Sequence, residues 1–462
     1  MAADRVTAAE AVDAVHVTCT ELGNMALFTR DALNPGVKPR EVWGWALYDF
    51  ANSGYTTVVL TAVFSAYFVG GVANKAEWAT LAWTLALSLS YAIVMLTMPA
   101  IGAYADRHAS KKRLLVMSTL SCVVCTAGLA LVPQFEGTAK VAVALGLIVL
   151  SNVFYSYGES LIAAFLPELA KGDAMGRVSG WGWGLGYVGG MLALGLSLGY
   201  VLWAQAQGIK ADQFVPVTML ITAAVYGLAA CFTFAWLKER AVPNQLAARR
   251  GGVADAFAQL RETFNKARSF PDFMWLMACA LFYQGGVAVA ITLAAIYAEQ
   301  VIGFQPTETM VLIFVLNVAA ALGALAFGHW QDRIGHKLAL TITLLGWILT
   351  CVIAAWSTTK GQFWWAAAIA GVSMGSSQSA GRAMAGLFAP PKQTAEFFAL
   401  WTFAVRLASI FGPLSYGLIT WATGGNQRIA ILSTSVLFLV GLVLLIPVNM
   451  QRGREAALRA SD

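Results

Sequence analysis

A charged side chain inside a long apolar run is the feature of this chain best suited to do chemistry. At the centre of a membrane-spanning helix a charge costs about 2.5–3.5 kcal/mol unless a partner or ligand compensates it. Four such residues occur: Asp49 and Glu159 in the first half, Arg382 and Arg406 in the second. Asp49 shares a helical face with Trp45, Asn52, Ser53 and Thr56, and Glu159 shares one with Asn152, Tyr155 and Ser156. Both stripes are expected to face a cavity at similar depth, acidic on one side and basic on the other. A zwitterion would find both its partners there, the arginines offering a planar fork to a carboxylate. Tyr283, Gln284 and Gln378 add hydrogen-bonding groups, so the candidate substrate-binding residues are Asp49, Asn52, Asn152, Tyr155, Glu159, Tyr283, Gln284, Gln378, Arg382 and Arg406. Asp49 and Glu159, the only acids placed deep in apolar runs, are also the candidates for carrying a coupled proton, with sodium as the alternative ion. Three roles stay open for these charges: substrate contact, an ion pair gating the two halves, and proton carriage.

The elements that must position them follow from composition. Of 462 residues, 58% are hydrophobic and 12% charged, which excludes an array of soluble domains and, with six Cys, a secreted disulfide scaffold. A helix needs about 20 apolar residues to cross the hydrocarbon core. Runs of that length predict twelve spans near 42–70, 79–103, 114–132, 139–166, 177–203, 215–237, 273–299, 308–329, 338–356, 362–388, 396–421 and 427–448. Of 30 Lys and Arg, only Lys75, Lys140, Lys210, Lys360 and Arg428 fall in the loops of one side. The basic excess on the other side puts both termini in the cytoplasm and accounts for the net positive charge without nucleic acid. No signal peptide precedes the first span, so that span is expected to direct insertion. Met25 lies nearer to it than Met1 does, which leaves residues 1–24 as a polar tail or as no part of the native protein.

The loop after the second span of each half carries the same pattern. Gly102 is followed by Asp106, Arg107, Lys111 and Lys112; Gly328 is followed by Asp332, Arg333, Gly335 and Lys337, about half the chain later. Such repetition marks internal duplication. The glycine permits close helix contact, the Asp can approach a helix end, and the basic residues hold the loop in the cytoplasm. A loop near 238–272 with Pro243, Gly251 and Gly252 divides the spans six and six. Gly184, Gly186 and Gly189 spell a dinucleotide fingerprint, but no strand precedes them; Gly182, Gly186 and Gly190 lie on one helix face, where a neighbouring backbone can approach. Cys122 and Cys125 lie within an apolar helix and read as plain helical thiols. His16, His108, His329 and His336 fall in the tail or at loop ends, so no intramembrane zinc or Ser–His site can be built, and neither an enzyme nor a metal or other cofactor is expected.

With these residues in view, the chain resembles the major facilitator superfamily, whose loop signature is the Gly-x-x-x-Asp-Arg pattern. It departs from that signature at Ala109, where a glycine is usual. Trp45–Gly54 (WALYDFANSG), Phe165–Ala170 (FLPELA), Ser179–Gly190 with its GYVGG ending, and Ala395–Phe398 (AEFF) followed by Gly412 and Pro413 resemble the fungal autophagy-associated vacuolar amino-acid effluxers and their bacterial relatives. The resemblance implies an all-α polytopic membrane protein, twelve transmembrane helices in two six-helix bundles that alternate access, spans 1, 4, 7 and 10 lining the cavity. The expected parts are a cytoplasmic tail (1–41), a bundle (42–237), a cytoplasmic loop (238–272), a bundle (273–448) and a cytoplasmic tail (449–462). The expected partners are a small-molecule substrate, protons and the lipid of the cytoplasmic (inner) membrane, the chain acting as a monomer. An amino acid or related zwitterion is the leading substrate class; an exporter of drugs or metabolites, or a non-transporting sensor of the same fold, are the alternatives.

Overall fold

The structure, a computed structural model, describes residues 33–170, 175–240, 258, 261, 264–390 and 394–459. The readings of residues 1–24, Met25, His16, Pro243, Gly251 and Gly252 lie outside these. Twelve long helices follow in order: α1 (Pro39–Val72), α2 (Ala79–His108), α3 (Lys111–Gln134), α4 (Gly137–Ala163), α5 (Met175–Ala206), α6 (Ala211–Trp236), α7 (Pro271–Ile302), α8 (Pro306–Ile334), α9 (His336–Trp356), α10 (Lys360–Phe388), α11 (Thr394–Ala422) and α12 (Gln427–Leu445). Eleven of the helices among the described residues are long and apolar enough to span a membrane. The exception, α10, has 29 residues but interrupts its apolar surface with Ser373, Ser376, Ser377, Gln378 and Arg382. In lipid every backbone N–H and C=O must bond internally, which is why each crossing is helical. Several helices run beyond the apolar stretches: α2 reaches His108 rather than 103 and α7 reaches Ile302 rather than 299, because helical bonding continues past the last apolar residue. Leu89, Val124, Leu228 and Leu322 stand more than half exposed, as lipid-facing side chains do.

The duplication is visible in the packing. α1 lies against α5 and α6, and α7 against α11 and α12; α4 packs on α2 and α3 as α10 packs on α8 and α9. The two six-helix bundles meet through α2 with α11 and α5 with α8. α1 and α7 are the most enclosed spans, 72% buried against at most 44% for the others among the described residues. Near the C-terminal ends of α1 and α7 the halves share one apolar core, in which Val289, Leu293, Met310 and Tyr416 join the first bundle. Toward the opposite end the second bundle keeps a core of its own around Phe273, Trp347, Met384 and Phe397. The bundles are therefore sealed at one end and packed separately at the other.

At that other end the two halves are fastened alike. α1 and α7 each begin with Pro at their first turn and an acid close behind, Glu41 and Asp272, which suits a helix N-terminus. The chain returning from α6 gives Arg240 to Glu41 at 2.6 Å. The chain returning from α12 gives Arg452 to Asp272, both bonds at 2.7 Å, and the bond Arg452 donates raises its already high pKa. Lys112 caps the Leu237 carbonyl at 2.7 Å, and Lys337 caps Ile446 and Val448 at 2.8 and 2.7 Å. Glu168 of the FLPELA segment takes Lys111 at 3.1 Å, and Leu33 pairs with Ala170 beside it. The loop-signature lysines thus act as carbonyl and carboxylate clamps; the side chains of Gly102, Asp106, Arg107, Gly328, Asp332 and Arg333 lie outside those described. Beyond α12, Met450–Arg459 is an amphipathic helix, α13, whose Gly453 rests on Phe388.

Ala109 ends α2 in the left-handed region, φ 46°, where the matching Gly335 has φ 89°. An L-residue is strained there by about 1–2 kcal/mol, which glycine avoids. Ala109→Gly is expected to stabilise the protein by about 1 kcal/mol after glycine's larger unfolded-state entropy is set against the relief. A thermal unfolding midpoint in detergent that does not rise would show that the α2–α3 turn holds no such strain.

Candidate functional site

Three polar side chains of α1 and α4 gather in the first bundle, and one of them reaches the second. Trp45 donates its indole N–H to the Ile162 carbonyl at 2.9 Å, tying α1 to α4 one turn from Glu159. One turn further along α1, the Asp49 carboxylate occupies the space left by a glycine on α5: a Cβ at Gly182 would fall 2.5 Å from its Oδ2 and 2.9 Å from the Trp45 ring. Gly186 and Gly190 continue this bare stripe beside Ser53 and Thr57, while Gly184 meets nothing within 4 Å. Among the described residues the Asp49 carboxylate has no hydrogen-bond or ion-pair partner, and Glu159 lies within its electrostatic reach.

Glu159 pairs with Arg406, α4 to α11, across the two bundles. Their side chains keep 33% and 27% of their surface exposed, so the pair lines an accessible space instead of a packed core. Tyr91 of α2 and Tyr155 of α4 stand within electrostatic reach of both members. Tyr155 is held by stacking on Tyr55, centroids 5.1 Å apart, and Tyr55 in turn bonds Ser151 at 2.8 Å. Asn152 is buried and donates to Ser90 at 2.5 Å, so it links α4 to α2. Asn52 is buried on α1, 4% exposed.

The second bundle supplies two amides that meet across α7 and α10. Gln284 and Gln378 bond each other reciprocally at 3.0 Å, α7 to α10. Tyr283 is fully buried beneath Gly381, where a Cβ would lie 2.0 Å from its hydroxyl, with the Trp401 ring beside them. Arg382 lies one turn from Gln378, within electrostatic reach of Tyr283 and of Tyr187 on α5, again across the bundles. Each intramembrane arginine of the second half therefore looks onto tyrosine of the first.

Two residues of this constellation escape the stripe argument. Tyr187 lies within the GYVGG segment, whose glycines drew attention while its one aromatic did not. Tyr91 is signalled only by Ser88 and Ser90 beside it in an apolar helix. Glu299 lies in the last turn of α7, which continues to Ile302. Cys122 and Cys125 are on α3, with Cys122 buried against Thr126.

A family model described as "Vacuole effluxer Atg22 like" matches residues 66–458. The chain is 28% identical over 425 residues to an uncharacterized MFS-type transporter, YxiO, of Bacillus subtilis (strain 168), covering 90% of this chain and 97% of that one. It is 24% identical over 305 residues to Autophagy-related protein 22-1 of Aspergillus fumigatus, 61% of this chain and 49% of that one, so it spans about half the length of this fungal relative. In fold it is similar to a bacterial homolog of the human lysosomal transporter Spinster, solved inward-facing and unoccupied. The TM-score is 0.66 at 13% identity, over 92% of this chain and 99% of that one.

Proposed function

Since the chain belongs to the family described as Vacuole effluxer Atg22 like and is a membrane transporter of the major facilitator type, we propose that it moves a small zwitterion, an amino acid or close relative, by alternating access. The observation carrying this reading is the Glu159–Arg406 pair spanning two bundles, with the Asp49 carboxylate unpartnered beside it among the described residues. A solute bearing both an ammonium and a carboxylate can take Arg406 with one end and an acid with the other. It then replaces a bond that holds the bundles together with bonds that travel with it. Asp49, within reach of Glu159 and without an arginine among its described neighbours, is the favoured proton carrier: a proton there removes one of two like charges from a low-dielectric space. The membrane is the cytoplasmic one, the protein acts as a monomer, and the Lys- and Arg-rich clamp end with both termini lies inside. The bundles, sealed at the far end, then face inward.

The test is uptake of pooled labelled amino acids into proteoliposomes of the purified chain, with and without an imposed pH gradient. Saturable uptake is expected to respond to the gradient. Asp49→Asn should keep exchange of solute across the membrane and lose accumulation against a gradient. Absence of uptake by demonstrably folded protein would reject the zwitterion and favour an exported metabolite or drug; loss of exchange together with accumulation in Asp49→Asn would reassign Asp49 to binding or folding.

A further inference from the structure

A second cavity, of about 450 Å³, lies at the sealed end, between the C-terminal ends of α1 and α7 and the first turns of α6 and α8. Along α1 its Tyr67 is 18 residues beyond Asp49, about 27 Å of helix rise, so the cavity is separate from the Glu159–Arg406 site. Its volume is in the range that takes small ligands. Ala66 and Met310 supply apolar wall; Glu299 stands on the α7 side, and Asp212, Lys210 and Lys140 stand around the first bundle's side. Two carboxylates and two ammonium groups thus line one space, and among the described residues none of the four is ion-paired.

Tyr67 adds an independent observation. It is 8% exposed, it lines the cavity, and its hydroxyl is buried without a hydrogen-bond partner. Buried hydroxyls are nearly always partnered, and this one is turned out of reach of the open space, so Tyr67 shapes the wall with its ring. Its ring is held in place by the bare face of Gly71, where a Cβ would lie 2.9 Å away. Helical geometry is also irregular on both flanks. Phe68–Val72 of α1 and Ala298–Ile302 of α7 are wound as π-helix, a form concentrated at functional sites, and they meet where Gly70 faces the Gln300 amide.

We propose that this cavity is a second, peripheral binding site for an apolar α-amino acid. The ammonium lies against Glu299, the side chain against Ala66 and Met310, and the carboxylate against Lys140 or Lys210. The exposed Lys210 and Asp212 put its mouth on the face opposite the clamped end, where a solute can be captured before or after passage. The choice of ligand rests on the zwitterion reading of the central site; the cavity and its charges do not.

The experiment is equilibrium binding of a tritiated pool of leucine, methionine and phenylalanine to the purified full chain, beside Glu299→Gln and Arg406→Lys. Glu299→Gln is expected to halve the amino acid bound at saturation, leaving binding that Arg406→Lys weakens. Isoamylamine, leucine without its carboxylate, should compete for the Glu299-dependent fraction more strongly than 4-methylpentanoate, which lacks the ammonium. Equal binding by Glu299→Gln and the unaltered chain, with Arg406→Lys alone lowering it, overturns the peripheral site and leaves the zwitterion reading standing. A chain that binds none of the pool overturns both. Because Glu→Gln preserves size and hydrogen-bonding capacity, an unchanged elution profile separates loss of the site from misfolding.

Discussion

Arg406→Lys should lower amino-acid uptake by about tenfold or more, equivalent to at least about 1.4 kcal/mol, while the amount of folded protein changes little. Lysine keeps the charge that compensates Glu159, so the bundles stay joined and insertion is unaffected. What it loses is the planar, two-pronged donor that a carboxylate recognises. Arg406→Gln behaves differently: it leaves the Glu159 carboxylate without its partner, a change that costs about 3–5 kcal/mol for a buried pair. Because both side chains retain about a third or less of their exposure, the low end of that range is expected, seen as reduced abundance as well as lost uptake. Exchanging the charges, Glu159→Arg with Arg406→Glu, should recover abundance without recovering transport. Unchanged uptake and apparent affinity in Arg406→Lys would take Arg406 out of the substrate path and leave the pair as a gate between bundles.

Substituting Gly189 or Gly412 should have the largest effect on folding. A Cβ at Gly189 of α5 would lie 2.0 Å from the Phe50 carbonyl oxygen on α1, and one at Gly412 of α11 would lie 2.0 Å from the Gly285 carbonyl oxygen on α7. The obstacle in each case is backbone, which cannot rotate aside as a side chain can. Separating the helices would also forfeit the close packing that holds membrane helices together, where hydrophobic burial gives little. Gly189→Val and Gly412→Val are each expected to cost about 3 kcal/mol or more, the upper part of the range for overpacking, and to remove most monodisperse protein from detergent extracts. Gly184→Ala and Gly199→Ala, where nothing lies within 4 Å, are the matched controls and should be nearly neutral. Wild-type yield from Gly189→Val would mean that α1 and α5 do not pack at this distance.

Those two glycines occupy corresponding places in the two bundles, α1–α5 and α7–α11, and they mark how far a sequence reading reaches. The face formed by Gly182, Gly186 and Gly190 was legible from four-residue spacing, yet the tightest approach is at Gly189, on the adjoining edge. Spacing locates a face to within about a residue, whereas the rotation of one helix against another selects the contact. The same holds for the polar groups. Gln284 and Gln378 each interrupt an apolar run and so were visible, but their reciprocal bond was not. Lys111, Lys112 and Lys337 were visible as loop charges, while their roles as clamps on Glu168 and on the carbonyls ending α6 and α12 depended on where those ends arrive.

The sequence by itself determined that the chain crosses a membrane, how many times, that it is duplicated, and which few charges lie within the spans. Each of these is a local property: transfer of about 20 consecutive residues into lipid is a sum over that segment, and the basic loops bias orientation one by one. Tertiary structure alone decided that Glu159 holds Arg406, 247 residues away, that Asp49 is left unpartnered among the described residues, and that Glu299 and Tyr67 line a second cavity. Ion pairing across helices depends on their relative depth, tilt and rotation, and these are set by the packing of all twelve at once.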